Sequence, residues 1–122
     1  GQTVYPYPAA AGMWCTSKDL AQLVIEVYNL MKGNGKLEIE QSLMLEMVKP
    51  QGCKPWSGLG VFLDTVDTNL EMSSFGWGVG FQCMFVGYPK DGTGAIIMTN
   101  TDTGVHQLKG FIGELFCDLS QH

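Results

Sequence analysis

The stretch Ser73-Ser74-Phe75-Gly76-Trp77-Gly78-Val79-Gly80-Phe81-Gln82-Cys83-Met84-Phe85-Val86-Gly87-Tyr88-Pro89 decides how the chain folds. Its second half, Gly80 to Tyr88, is an apolar run of strand length bounded by turn residues. Its first half alternates glycine with Phe75, Trp77 and Val79, the pattern of a sheet edge that another group approaches closely. A further apolar run, Gly94 to Thr99, follows across Pro89-Lys90-Asp91-Gly92-Thr93, whose Asp-Gly step signals a hairpin. Antiparallel pairing follows from so short a connection.

Working toward the N-terminus, Trp56 to Leu63 is short, aromatic and flanked by glycine and proline, which predicts a strand. Asp64 to Met72 reads as a polar excursion between strands. Earlier still, Thr16-Ser17-Lys18-Asp19 is a capping-box pattern, followed by Leu20, Leu23, Val24, Val27, Leu30 and Met31 at helical spacing. A helix over about 17–32 is predicted, closed by Gly33-Asn34-Gly35. A shorter helix is predicted from Glu40 to Lys49, with Leu43, Met44, Met47 and Val48 inward and Pro50 as its stop. The opening prolines, Pro6 and Pro8, predict an extended lead-in, since each biases its predecessor away from the helical region. Toward the C-terminus, Val105, Leu108, Phe111, Ile112, Leu115, Phe116 and Leu119 recur three and four apart, an amphipathic helix that any of Asn100 to Thr103 could cap. Helices, then strands, then a helix specify an α+β domain: an antiparallel sheet of three to four strands packed by helices.

With 122 residues the chain fits one domain, 1–122. A formal charge of -5 without any basic cluster removes the attraction on which nucleic-acid binding depends. No apolar run approaches the ~20 residues of a membrane span, and no basic-then-apolar leader opens the chain. Starting at Gly1 and not Met, it reads as a cut, processed or tagged piece of a longer polypeptide.

Cys15, Cys53, Cys83 and Cys117 contain no Cys-x-x-Cys pair, and His106 and His122 are the only imidazoles, so no metal or cofactor is expected. Three of the four cysteines lie in apolar stretches, where a buried thiol is expected. His106 reads as a solvated residue on the first turn of the last helix, and His122 as a loose terminal residue. The seven methionines read as core filler. Asp64, Asp67 and Glu71 flank a loop without a spacing that marks an acid-base pair.

Four segments, in order, resemble the C-terminal portion of the serine β-lactamase and penicillin-binding-protein family, in its class C-like branch with related esterases and D-amino-acid peptidases. Pro8-Ala9-Ala10-Ala11-Gly12-Met13-Trp14-Cys15-Thr16-Ser17-Lys18-Asp19 is similar to that branch's small-residue, Gly-x-Trp opening of a long helix. Trp56-Ser57-Gly58-Leu59-Gly60 is similar to its aromatic-x-Gly-Leu-Gly strand. Phe75-Gly76-Trp77-Gly78 with Gly80-Phe81 resembles its Phe-Gly-His-Gly-Gly segment, and Ala95 to Asp102 resembles its apolar strand ending in Thr-Asn. The resemblance implies the C-terminal part of a β-lactamase/transpeptidase-like fold and a periplasmic or extracellular setting.

The departures carry as much meaning. No serine stands three before any lysine, and neither Tyr-x-Asn nor Ser-x-Asn occurs, so the family's nucleophile and base are absent from the chain. Trp77 occupies the usual histidine position, and an indole donates one hydrogen bond but shuttles no proton. Two readings of Trp77 stand, packing anchor or cleft wall. Trp77, Gly78, Val79 and Gly80 are the candidate substrate-cleft residues, with edge-strand N–H groups near Val79 or Gly80 as oxyanion donors and glycines that admit substrate. The resemblance implies a hydrolase part acting on a β-lactam, a D-amino-acid peptide or an ester, inactive alone. The alternatives are a non-catalytic ligand- or protein-binding module derived from the penicillin-binding fold, and an unrelated α+β domain. Expected partners are the remainder of its own polypeptide or a second copy, by dimerisation or swapping, and a β-lactam or peptide ligand.

Overall fold

A computed structural model describes residues 4–120, so His122 lies outside the described residues. Thr16 caps α1 (Ser17–Met31): its hydroxyl accepts the Asp19 N–H at 3.1 Å while its own N–H donates to the Asp19 carboxylate at 3.4 Å. Gly33, at φ 77, closes the helix. α2 (Gln41–Met47) is shorter than its apolar spacing predicts, and it buries Met44 alone. Leu43, expected inward, is exposed, because one face of so short a helix packs only where it meets α1.

Two strand expectations are corrected. Residues 56–61 form no strand, since the Gly58 N–H donates to the Val61 carbonyl and Gly60 takes φ 75, which bends the chain back. The strand starts at Phe62, and the supposed excursion over 64–72 is a hairpin: β1 (Phe62–Val66), a turn at Asp67-Thr68, then β2 (Asn69–Gly78). β3 (Phe81–Tyr88) and β4 (Thr93–Thr99) fall where the apolar runs predict them. The four strands form one antiparallel sheet in the order β1-β2-β3-β4, and the fold is α+β.

The last helix also differs from expectation. Gly110 is extended at φ -121, ψ -166, and it separates a 3-10 turn (Gln107–Lys109) from α3 (Phe111–Ser120). Asp102 and Thr103 do not cap that helix; their side chains bond to Trp77 and Gln82. Among the described residues no helix is long and apolar enough to cross a membrane.

The core lies on both faces of the sheet. On the α1 face Tyr28, Leu63, Met72 and Phe85 pack together, and on the α3 face Met84, Val86 and Ile112 do so. β3 is therefore buried from Met84 to Gly87 without alternation, as a strand covered on both sides must be. The methionines divide accordingly: Met44, Met72 and Met84 fill the core, while Met13 and Met98 are exposed.

Candidate functional site

The site is built on an unequal pairing. β1 ends against β2 at Phe62–Ser73, whereas β3 follows β2 to Gly78–Phe81. Residues 74–78 are thus paired on one side and open on the other. Two-residue turns close both hairpins, at Val66–Asn69 and Gly78–Phe81, and such closing pairs exchange both main-chain hydrogen bonds. Counting outward from either closure gives the same phase: Gly76 faces β3, so the N–H and C=O of Phe75 and Trp77 face the open margin. Side chains alternate as well, so the Trp77 ring stands on the face of its partner Gln82, and Cys83 stands on the other.

Trp77 neither sinks into the core nor hangs free. Its ring is 48% exposed, and its indole N–H donates to the Asp102 carboxylate at 2.9 Å. Asp102 is fixed in turn by the Gly104 N–H at 2.9 Å. Along the same margin run Trp56, Phe62, Phe75 and His106, ring centroids 6.0, 6.0 and 5.7 Å apart in succession. His106 is exposed as expected, but it precedes the 3-10 turn, where its Nδ1 accepts the Leu108 N–H at 3.2 Å.

Gly78 ends β2, whereas Val79 and Gly80 are the two central residues of the β2–β3 turn, with Gly80 at φ 82 and Val79 93% exposed. They do not sit on an edge strand as expected; the chain reverses there, and the margin's outward N–H groups belong to Phe75 and Trp77. The glycines at 76 and 78 also act differently from the expectation. A Cβ on Gly76 would strike the Cys83 sulfur, and one on Gly78 the Phe81 ring, so their missing side chains are replaced by neighbours from β3.

Two hollows adjoin this strand. A notch of about 280 Å³ at the margin is bounded by Gly58, Val61, Phe62, Ser74 and Phe75. A larger cleft of about 470 Å³, walled by Tyr5, Met13, Leu20, Phe81 and Cys83, separates the lead-in segment and α1 from the sheet. No charged side chain lines either one. Cys83 is half-buried, and that burial pushes its thiol up from the ordinary value, so it is a neutral thiol and not a thiolate near neutral pH. Contrary to the expectation of a buried thiol in an apolar stretch, Cys117 is exposed, as is Cys53 in the loop after α2.

Two glutamines, invisible as site residues in the sequence, lock the margin in place. Gln107, buried, donates from Nε2 to the Gly76 carbonyl at 2.8 Å and to the Cys83 carbonyl at 3.3 Å. Gln82, also buried, donates to the Val105 carbonyl at 2.7 Å and accepts the Thr103 hydroxyl at 2.7 Å. The only hint was a glutamine inside the apolar run Phe81 to Val86. Asp64 and Glu71 are register partners across β1 and β2, but Glu71 accepts the Tyr88 hydroxyl at 2.7 Å and Asp64 the Thr65 N–H at 2.7 Å, so the two carboxylates are committed elsewhere.

Among the described residues no serine hydroxyl bonds to a lysine amine or an imidazole, and no group of three or more His, Cys, Asp or Glu side chains converges to hold a metal. What the margin offers chemically is main-chain: N–H donors and C=O acceptors beside an aromatic wall. Compared with known proteins, the chain matches no protein-family model, no curated protein and no solved structure.

Proposed function

We propose that this chain is the C-terminal part of a serine β-lactamase-like acyl-transfer hydrolase, and that it supplies the sheet margin along which substrate lies. The single observation that carries this reading is the open side of residues 74–78, with the N–H of Trp77 facing out between the notch and the Trp77–Asp102 contact. An N–H on such a margin can donate to a developing oxyanion, a contact worth on the order of 3 kcal/mol in hydrolases. Trp77, Gly78, Val79 and Gly80 then have distinct parts. Trp77 lends its N–H and a wall, Gly78 ends the strand, and Val79 and Gly80 form the rim. The attacking serine and its base come from chain outside residues 1–122, and substrate is a β-lactam, a D-amino-acid peptide or an ester.

A second reading, a non-catalytic module that binds a peptide or ligand on the same margin, draws support from one feature. The Trp77 side chain is engaged by Asp102, a pairing that fixes the ring and provides no proton relay. Labelling with a fluorescent penicillin separates the two. The acyl-transfer reading expects covalent labelling of the polypeptide extended upstream of Gly1, at a serine outside this chain, and none of residues 1–122 alone. Absence of label on the extended polypeptide, with a peptide or ligand still bound at the margin, would establish the second reading instead.

A further inference from the structure

The lead-in segment rests on the sheet at few points. From Val4 to Cys15 only Tyr5 and Cys15 are shielded from water. Among the described residues its hydrogen bonds stay inside it, with the Ala10 and Ala11 N–H groups donating to the Tyr7 carbonyl at 2.9 and 3.1 Å. A segment held so lightly opens at low cost in free energy.

Both shielded residues belong to one part of the sheet. The Tyr5 hydroxyl lies 3.1 Å from where a Cβ on Gly78 would stand, and the Cys83 sulfur occupies the same place at Gly76, the next residue on that face. The cleft of about 470 Å³ has Ala10 to Met13 and Leu20 in one wall and Cys83 in the other. Cys15 falls between Met13 and Leu20, directly before the Thr16 cap, so the start of α1 fixes it beside that cleft. The two sulfurs also sense each other: burial first pushes the Cys83 thiol up, and a negative charge on Cys15 pushes it further, an effect that acts within a screening length of roughly 10 Å. Among the described residues no group of three or more His, Cys, Asp or Glu side chains includes them, so the chemistry open to the pair is with each other and not with a metal.

We propose that Cys15 and Cys83 are a redox pair whose disulfide ties the lead-in segment down across the cleft. The oxidant is a small-molecule disulfide of the glutathione class. Cys15 begins, because Cys83 is held as a neutral thiol: Cys15 gives its proton to solvent and its thiolate attacks one sulfur of the small disulfide, which breaks, releases one small thiol and leaves a mixed disulfide on Cys15. Cys83 then gives its proton to solvent, its sulfur attacks the Cys15 sulfur, and the second small thiol departs with a proton. Two protein thiols are thereby oxidised by two electrons, and one small disulfide is reduced to two thiols. A disulfide needs its Cα atoms within about 7 Å, and the lightly held lead-in supplies the movement that closure takes. Oxidation shuts the cleft and reduction frees the segment. This inference does not rest on the acyl-transfer reading.

The test treats the 122-residue chain with glutathione buffers of rising oxidised share and maps its chymotryptic peptides by mass spectrometry. One cross-link is expected, Cys15 to Cys83, lighter by two hydrogens than the free pair and reversed by dithiothreitol. Because it closes a loop of about 70 residues, the thermal midpoint of the oxidised chain should exceed that of the reduced chain by roughly 10 °C. Amide exchange over residues 10–14 should slow on oxidation. Cys15→Ser should abolish both the link and the midpoint difference with the circular dichroism spectrum of the reduced chain unchanged, whereas Cys53→Ser should leave link and difference intact. Glutathione adducts on Cys15 and Cys83 without a link between them overturn the proposal, as does a link from either one to Cys53 or Cys117. A Cys15–Cys83 link that lowers the midpoint would overturn it too, since the bond would then form against the fold.

Discussion

At the scale of single residues, Gly76 has the most to say about how the margin is built. Its carbonyl is held by Gln107, and the space where a Cβ would stand is taken by the Cys83 sulfur. A methyl group added there must push the sulfur or the strand aside, which in packed cores costs about 1–3 kcal/mol. Gly76→Ala should therefore lower stability by that order, measured as a drop in urea midpoint at unchanged slope. Cys83→Ala alone removes a half-buried sulfur and costs less. The double variant should recover much of the Gly76→Ala loss, since the methyl then fills the room the sulfur vacates, and the coupling reads out as non-additivity. Strictly additive losses would contradict the contact.

Gly76 was legible only in part. Its membership of a glycine-rich strand stood out in the sequence, but the identity of the approaching group did not. Glycine marks closeness without naming the neighbour, and here the neighbour comes from the next strand, not from a ligand. Asp102 is a similar case: a polar residue after a strand suggests a cap, and only the fold reveals that it meets an indole 25 positions away.

At the scale of elements, the best-read pieces were those whose signals are local. The α1 capping box, its apolar spacing and its glycine stop all agree, so helix and sequence coincide. β3 and β4, apolar runs joined through Asp-Gly, were equally plain. The β1–β2 hairpin escaped because its turn lacks the residues that such turns favour. Asp67 and Thr68 both adopt positive φ, 49 and 69, where two-residue hairpins ordinarily place asparagine and glycine. Charged and hydroxyl residues on the exposed β1 then made the region look like loop, although β1–β2 pairing sets the length of the open margin. The last helix was overextended for the opposite reason: periodicity ran on through Gly110, which leaves the helical region altogether.

The strained turn makes its own prediction. A β-branched residue in the left-handed region costs on the order of 1–2 kcal/mol, while glycine visits it freely at the expense of unfolded-chain entropy. Thr68→Gly should accordingly raise stability by about 0.5–1 kcal/mol. The thermal midpoint would rise, and amide exchange across the β1–β2 hairpin would slow. A lowered midpoint would mean that the Thr68 side chain contributes something beyond its backbone angle.

At the scale of the whole molecule, two tyrosines, one tying α1 to the sheet and one tying β3 to β2, set an alkaline limit. Tyr28 reaches from α1 across the sheet, its hydroxyl donating to the Thr93 carbonyl at 3.0 Å, and burial pushes it up to about 12. Tyr88 ends β3 and donates to Glu71; burial, and after it that hydrogen bond, push it up to about 12 as well. Both are neutral donors in the folded chain and ordinary phenols, ionising near 10, in the unfolded one. The unfolded state therefore releases protons first as pH rises. Their contribution is complete below about 10 and is lost progressively between about 10 and 12, where the folded state binds more protons than the unfolded. Urea unfolding of the native chain and of Tyr28→Phe should differ most at pH 8 and converge as pH climbs through that window, because the phenylalanine variant has lost the Thr93 bond already and has no proton there to lose. Tyr88→Phe should behave in the same direction by a smaller amount, since more of its ring faces water. Curves for native and Tyr28→Phe chains that stay parallel from pH 8 to 11.5 would mean that the hydroxyl does not join α1 to β4 in the folded state, and the α1 face of the sheet would then rest on apolar contact alone.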